Sequence, residues 1–100
     1  MTSNLFSDQV GLAAICSDNR VRRLSLFGST LRGTDRPDSD VDLLIEFEPD
    51  ARPNLLTIAA IETELSALLG GRKVDLRTAG DLSRYFRADV IASAATQYAA

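Results

Sequence analysis

The run Ser39-Asp-Val-Asp-Leu-Leu-Ile-Glu-Phe47 constrains this chain more than any other segment. Read as a strand, it sends Val41, Leu43, Ile45 and Phe47 to one face and Asp40, Asp42, Leu44 and Glu46 to the other, because side chains alternate along an extended backbone. The apolar row must be buried under another layer. The opposite row begins with two carboxylates about 7 Å apart along the strand. With the heads near ~6 Å they repel by roughly 3 kcal/mol at an effective dielectric of about 20, but by only about 0.7 kcal/mol if both are solvated at a sheet edge. A divalent cation would remove the repulsion, and hard cations such as Mg²⁺ take carboxylate oxygens and complete their shells with water and phosphate. For an isolated Asp-x-Asp, two solvated acids on a polar strand face are the simpler account.

A second feature tips that balance. Leu24, Leu26 and Phe27 read as the end of a buried strand, so Gly28-Ser29 falls where the chain leaves the sheet, with backbone N–H groups directed at an anion. Gly28 has no Cβ to keep a phosphate from the backbone. A phosphate cradle and a cation site explain each other. Two other phosphate motifs fail. Gly28 and Gly33 have the glycine spacing of a Walker A loop, but Thr34 and Asp35 stand where that loop needs Lys and then Ser or Thr, and the chain has no Gly-x-Gly-x-x-Gly run.

Gly28-Ser29-Thr30-Leu31-Arg32-Gly33, followed by Ser39-Asp40-Val41-Asp42-Leu43-Leu44, resembles the GSxxRG…SDxDL signature of the DNA polymerase β-like nucleotidyltransferases. Within that superfamily it is similar to the minimal nucleotidyltransferases, the MntA-like antitoxins that accompany HEPN-domain toxins. The resemblance runs from about Val21 to Ala94 and rests on linked motifs, which are more specific together than singly. It implies an α+β (or α/β) fold, a small mixed β-sheet flanked by helices, with the site on the helix-free face. It also implies a third carboxylate on a later strand, a place taken by Asp75 in Lys73-Val-Asp-Leu-Arg77.

The implied reaction is transfer of AMP from ATP to a hydroxyl with release of pyrophosphate, by two-metal chemistry. Asp40 and Asp42 would hold two Mg²⁺ ions, and Asp75 would complete the second site or take the acceptor proton. Ser29 and the N–H groups after Gly28 would hold the β- and γ-phosphates, and Arg32 would neutralise leaving-group charge or form a structural ion pair. For minimal members the resemblance implies an antitoxin that adenylylates a tyrosine of a HEPN ribonuclease toxin, in a hetero-oligomer. The competing class is an antitoxin that masks its toxin without catalysis.

Size and charge narrow the field. One hundred residues are expected to form one domain, residues 1–100, burying about 60% or a little more of the unfolded surface. The lone Cys16 permits no internal disulfide, and with no signal-like or membrane-length apolar run a reducing cytoplasm is expected. Cys16 itself reads as a small buried apolar residue. A net charge of −3 argues against strong nucleic-acid binding. The absence of histidine removes Ser-His-Asp hydrolysis and histidine-ligated zinc. Glu46 is expected at the rim of the site. Arg20, Arg22, Arg23, Arg36, Lys73 and Arg77 are either scattered solubilising charge or steer a triphosphate, and Tyr85 and Tyr98 are expected to pack on helices.

Periodicity and turn signals give the elements. A helix is expected over Asp8–Ser17, capped by Ser7, with Val10, Ala13, Ala14 and Ile15 inward. Strands follow at Val21–Phe27, Val41–Glu48 and Lys73–Arg77, with a short helix at Gly28–Leu31. A long helix over Asn54–Leu69 carries Leu55, Ile58, Ile61, Leu65, Leu68 and Leu69 on one stripe and ends at Gly70-Gly71. The last expected element is a helix over Leu82–Tyr98 capped by Asp81.

Overall fold

The computed structural model describes residues 5–28, 40–82, 84–85 and 87–100. Its strands are β1 (Val21–Phe27), β2 (Val41–Phe47), β3 (Val74–Arg77) and β4 (Ala95–Ala99), and its helices are α1 (Gln9–Asp18), α2 (Leu55–Leu68) and α3 (Arg87–Ser93), with a 3₁₀ turn over Ala79–Asp81. The strand order is β3-β2-β1-β4. β1 is antiparallel to β2 and to β4, whereas β3 is parallel to β2. This is the mixed α+β sheet expected. The expected short helix at Gly28–Leu31 falls, beyond Gly28, outside the described residues.

A parallel neighbour cannot be reached by a tight turn, so the chain between β2 and β3 must cross over, and α2 fills that crossover. Val41, Leu43 and Ile45 meet Leu24, Leu26, Val74 and Leu76 on one face of the sheet, and Leu12, Cys16, Ile61 and Leu65 close over them. Ile58, Leu68 and Leu69 pack around this core as the stripe requires, but Leu55 is 84% exposed, one turn too early to reach it. Asn54 caps α2 by accepting from the Thr57 N–H at 2.9 Å. Gly70 and Gly71, at φ 71° and 94°, end the helix in a conformation that other residues rarely adopt.

Three expectations at the ends of the chain are corrected. The cap of α1 is Asp8, not Ser7: its carboxylate accepts from the Gly11 N–H at 2.8 Å. The buried face of α1 is Leu12 and Cys16, four residues apart, and Val10, Ala13 and Ala14 are exposed. The third correction is the largest. Instead of one helix over Leu82–Tyr98 there is the 3₁₀ turn, the seven-residue α3 and then β4, which pairs with the free edge of β1. Asp81 caps no long helix, and its carboxylate accepts from the Thr78 N–H and hydroxyl, both at 3.0 Å.

β4 is held by more than its ladder. The register with β1 shifts between Leu24 and Ser25, which leaves Gln97 as the extra residue on β4. Its side chain is buried, and Oε1 accepts from the Leu5 N–H at 2.8 Å. Tyr98 packs against the core, but from β4 and not from the helix expected to carry it. Tyr85 does not: it is 83% exposed, with the Arg84 guanidinium 5.2 Å from its ring centroid. No helix among the described residues is long and apolar enough to cross a membrane.

Candidate functional site

The face of the sheet opposite α1 and α2 carries Ser25 and Phe27 from β1, Asp42, Leu44 and Glu46 from β2, and Asp75 and Arg77 from β3. Register brings three strands to one place. Phe27 is the partner of Asp42, and Asp42 is the partner of Asp75. The end of β1 and the beginnings of β2 and β3 therefore meet at one end of the sheet, which puts Gly28, Asp42 and Asp75 in neighbouring positions.

Gly28 and Asp42 are fitted to each other. Gly28 has φ 78°, and a Cβ at this position would lie 3.1 Å from both Cβ and Cγ of Asp42. Any side chain here would have to displace the Asp42 carboxylate. The notion of Gly28 as a place of close approach thus gains a second cause, since the first group to approach it is an acid of the chain itself.

Each outer aspartate lies beside a cation carried by β3 or its approach. Asp40, just before β2, has Oδ2 3.8 Å from Lys73 Nζ. Asp75 Oδ2 accepts from Arg77 Nε at 3.3 Å and Nη2 at 3.1 Å. The hydrogen bonds and charge of Asp75, with further attraction from Asp42 and Asp81, raise the pKa of Arg77 above its ordinary value. The Val41 N–H donates to the Lys73 carbonyl at 2.8 Å, which ties the start of β2 to the approach of β3.

Of the expected site residues, Gly28, Asp42 and Asp75 are brought together, and Asp40 lies at the edge of the group, turned to Lys73. Ser29 and Arg32 lie outside the described residues. Among the described residues no three acidic, cysteine or histidine side chains converge on a point fit for a metal ion. The donor chemistry still suits a hard cation: carboxylate oxygens from two strands in direct register beside a glycine turn. Glu46, on the same face, has Oε2 3.7 Å from Arg23 Nη1. The open face is less bare than expected. Leu44 and Ser25, partners across β1 and β2, are buried on it, and the 3₁₀ turn packs against β2.

Arg77 is the residue that reading along the chain undervalued. Its signal was available: positions 73, 75 and 77 alternate onto one face, so Lys73 and Arg77 flank Asp75 on both sides.

Comparison with known proteins adds a family to this geometry. Residues 11–98 match the family model for the nucleotidyltransferase domain. Over 56 residues the chain is 50% identical to protein adenylyltransferase MntA of Thermococcus cleftensis, a stretch equal to 56% of this chain and 54% of that protein. The chain thus spans about half the length of the curated relatives it matches. A solved structure presented as a minimal nucleotidyltransferase superposes with a TM-score of 0.69 at 34% identity, covering 86% of this chain and 85% of that one. A toxin–antitoxin crystal structure with AMP-PNP superposes with a TM-score of 0.70, covering 93% of this chain and 74% of that one, and at 19% identity it speaks to the fold alone.

Proposed function

The chain belongs to the nucleotidyltransferase domain family, and on that premise we propose that it is a protein adenylyltransferase of the antitoxin type, moving AMP from ATP to a tyrosine hydroxyl of a HEPN-type toxin partner. The observation that carries this reading is the direct register of Asp42 with Asp75 beside the Gly28 turn. Like charges placed opposite each other weaken a sheet. A purely structural sheet has no use for that pair.

The chemistry assigns each group a task. Gly28 lets the triphosphate approach the backbone where β1 ends, and Ser29 and Arg32 hold its outer phosphates. Asp40, Asp42 and Asp75 would hold Mg²⁺, which when bound neutralises phosphate charge and makes the acceptor hydroxyl easier to deprotonate. The acceptor oxygen forms a bond to the α-phosphorus, the bond from that phosphorus to the bridging oxygen breaks, and pyrophosphate leaves with the electron pair. The hydroxyl proton passes to a carboxylate, for which Asp75 is the candidate, or to water. We further propose that residues 1–100 act as one minimal domain.

Intact-mass measurement tests this. Incubated with ATP, Mg²⁺ and a HEPN toxin, the protein is expected to add one or more AMP groups to the toxin, and Asp42→Asn is expected to abolish the addition while the protein stays folded. An unmodified toxin that is nonetheless silenced equally by wild type and by Asp42→Asn would refute transfer and establish masking.

A further inference from the structure

The row Lys73, Asp75, Arg77 sets a charge problem beside the one that Asp42 and Asp75 set for each other. In the parallel register Asp42 faces Asp75 and Leu44 faces Arg77, so the guanidinium sits one row from the paired acids and turns back onto Asp75. Both of its hydrogen bonds go to the same oxygen, Oδ2, at 3.1 and 3.3 Å. The Arg77 side chain is about half exposed, at 49%, and pairs at that exposure add little to folding. Its consequence is local: a fixed positive charge on an oxygen that a divalent ion would otherwise take.

We propose that Arg77 is a built-in counter-ion that competes with divalent metal for Asp75, and that it is drawn off by the phosphates of the incoming nucleotide, so that metal binds well only together with nucleotide. This rests on the reading that Asp42 and Asp75 are metal ligands. A guanidinium with planar paired donors is equally suited to a carboxylate and to a phosphate. A triphosphate arriving at the Gly28 turn offers it several anionic oxygens in exchange for one. Before that exchange Arg77 offsets the repulsion between the two acids; after it, the dication takes over the offset. Arg77 acts through Asp75 and is in this sense a positioning residue.

The test is Mn²⁺ binding by titration calorimetry, with and without a non-hydrolysable ATP analogue, on wild type, Arg77→Gln, Arg77→Lys and Asp75→Asn. Removing one unit charge from beside a divalent ion at the surface is expected to tighten Mn²⁺ binding without nucleotide roughly three- to tenfold in Arg77→Gln. Arg77→Lys keeps the charge and is expected to stay near wild type. With the analogue present, the advantage of Arg77→Gln is expected to vanish or reverse. Equal Mn²⁺ affinity of wild type and Arg77→Gln without nucleotide, in proteins that lose affinity on Asp75→Asn, would overturn the competition and leave the metal site standing. If Asp75→Asn leaves Mn²⁺ affinity unchanged with the analogue present, the metal reading falls and the proposal falls with it.

Discussion

Replacing Gly28 with alanine separates two costs that the structure predicts at one atom. The first is backbone: φ is 78°, and an L-residue in the left-handed region costs about 1–2 kcal/mol relative to glycine. The second is steric, because the new Cβ would stand 3.1 Å from Cβ and Cγ of Asp42, and overpacking of this kind costs about 1–3 kcal/mol when the neighbour cannot retreat freely. Gly28→Ala is thus expected to destabilise by roughly 2–5 kcal/mol in all. Asp42→Ala removes the carboxyl group from the contact. In that background Gly28→Ala should cost less, because only the backbone part and the remaining contact with the residue-42 Cβ at 3.1 Å are left, and the difference between the two costs measures how far the Asp42 carboxyl group is seated against the glycine. Urea unfolding of wild type, both single variants and the double variant gives all four free energies. Equal costs of Gly28→Ala in both backgrounds would refute the idea that Gly28 makes room for Asp42 and would leave it a turn glycine only.

Three further outcomes are expected. Burial pushes the Cys16 thiol up to about 11, so it should resist alkylation near pH 8 in the folded protein and label at once when unfolded; rapid labelling without denaturant would contradict its place in the core. Gln97→Leu leaves the Leu5 N–H without its side-chain acceptor and is expected to cost about 1–3 kcal/mol, read as a lowered melting temperature. Bonds from the Thr78 N–H and hydroxyl lower the pKa of Asp81, so its contribution to stability is present above the unfolded value of about 3.9 and is lost as pH falls through the lower folded value; the stability gap between wild type and Asp81→Asn should close on acidification, and a gap that widened would reverse the sign.

What could be read along the chain follows from how local each signal is. β1 and β2 were legible because Leu24, Leu26, Val41, Leu43 and Ile45 alternate cleanly, and alternation already decides which side chains share a face. The stripe from Ile58 to Leu69 was legible for the same reason at helical period. The last segment misled because Ala92, Ala94 and Ala95 favour helix by propensity, whereas the free edge of β1 supplies hydrogen bonds that only an extended Ala95–Ala99 can take. No signal within that segment announces an open edge at Arg23–Leu26, in the first third of the chain. Gln97 was silent too, since its acceptor role depends on Leu5, at the far end of the chain. The pairing of Asp75 with Arg77 lay between these cases: the spacing of two was visible, but which cation would turn to which acid depends on β3 lying beside β2.

The mixed sheet explains why the candidate site can be assembled from so short a chain. β1 runs out of the sheet at the end where β2, antiparallel to it, begins, so Gly28 and Asp42 become neighbours. β3 must then also begin at that end if its acid is to join them, which requires a parallel pairing and therefore a crossover helix. α2 serves both needs, because it completes the crossover and its Glu62 carboxylate accepts from the Leu76 N–H at 2.9 Å, occupying a donor on the outer side of the four-residue edge strand. A slip of one residue in the β2–β3 register would turn Asp75 toward the core and Val74 or Leu76 toward the site, so the burial of those two apolar residues holds the acid in place. The apolar face of β3 thus sets the geometry of its charged face, and weakening it at Leu76 should loosen metal and nucleotide binding before it unfolds the protein. Leu76→Ala is the variant that checks this: a loss of Mn²⁺ affinity with the ATP analogue is expected under conditions where circular dichroism still shows the native fold, and unchanged affinity in a measurably destabilised protein would show that the acids are positioned by something other than the register of the sheet.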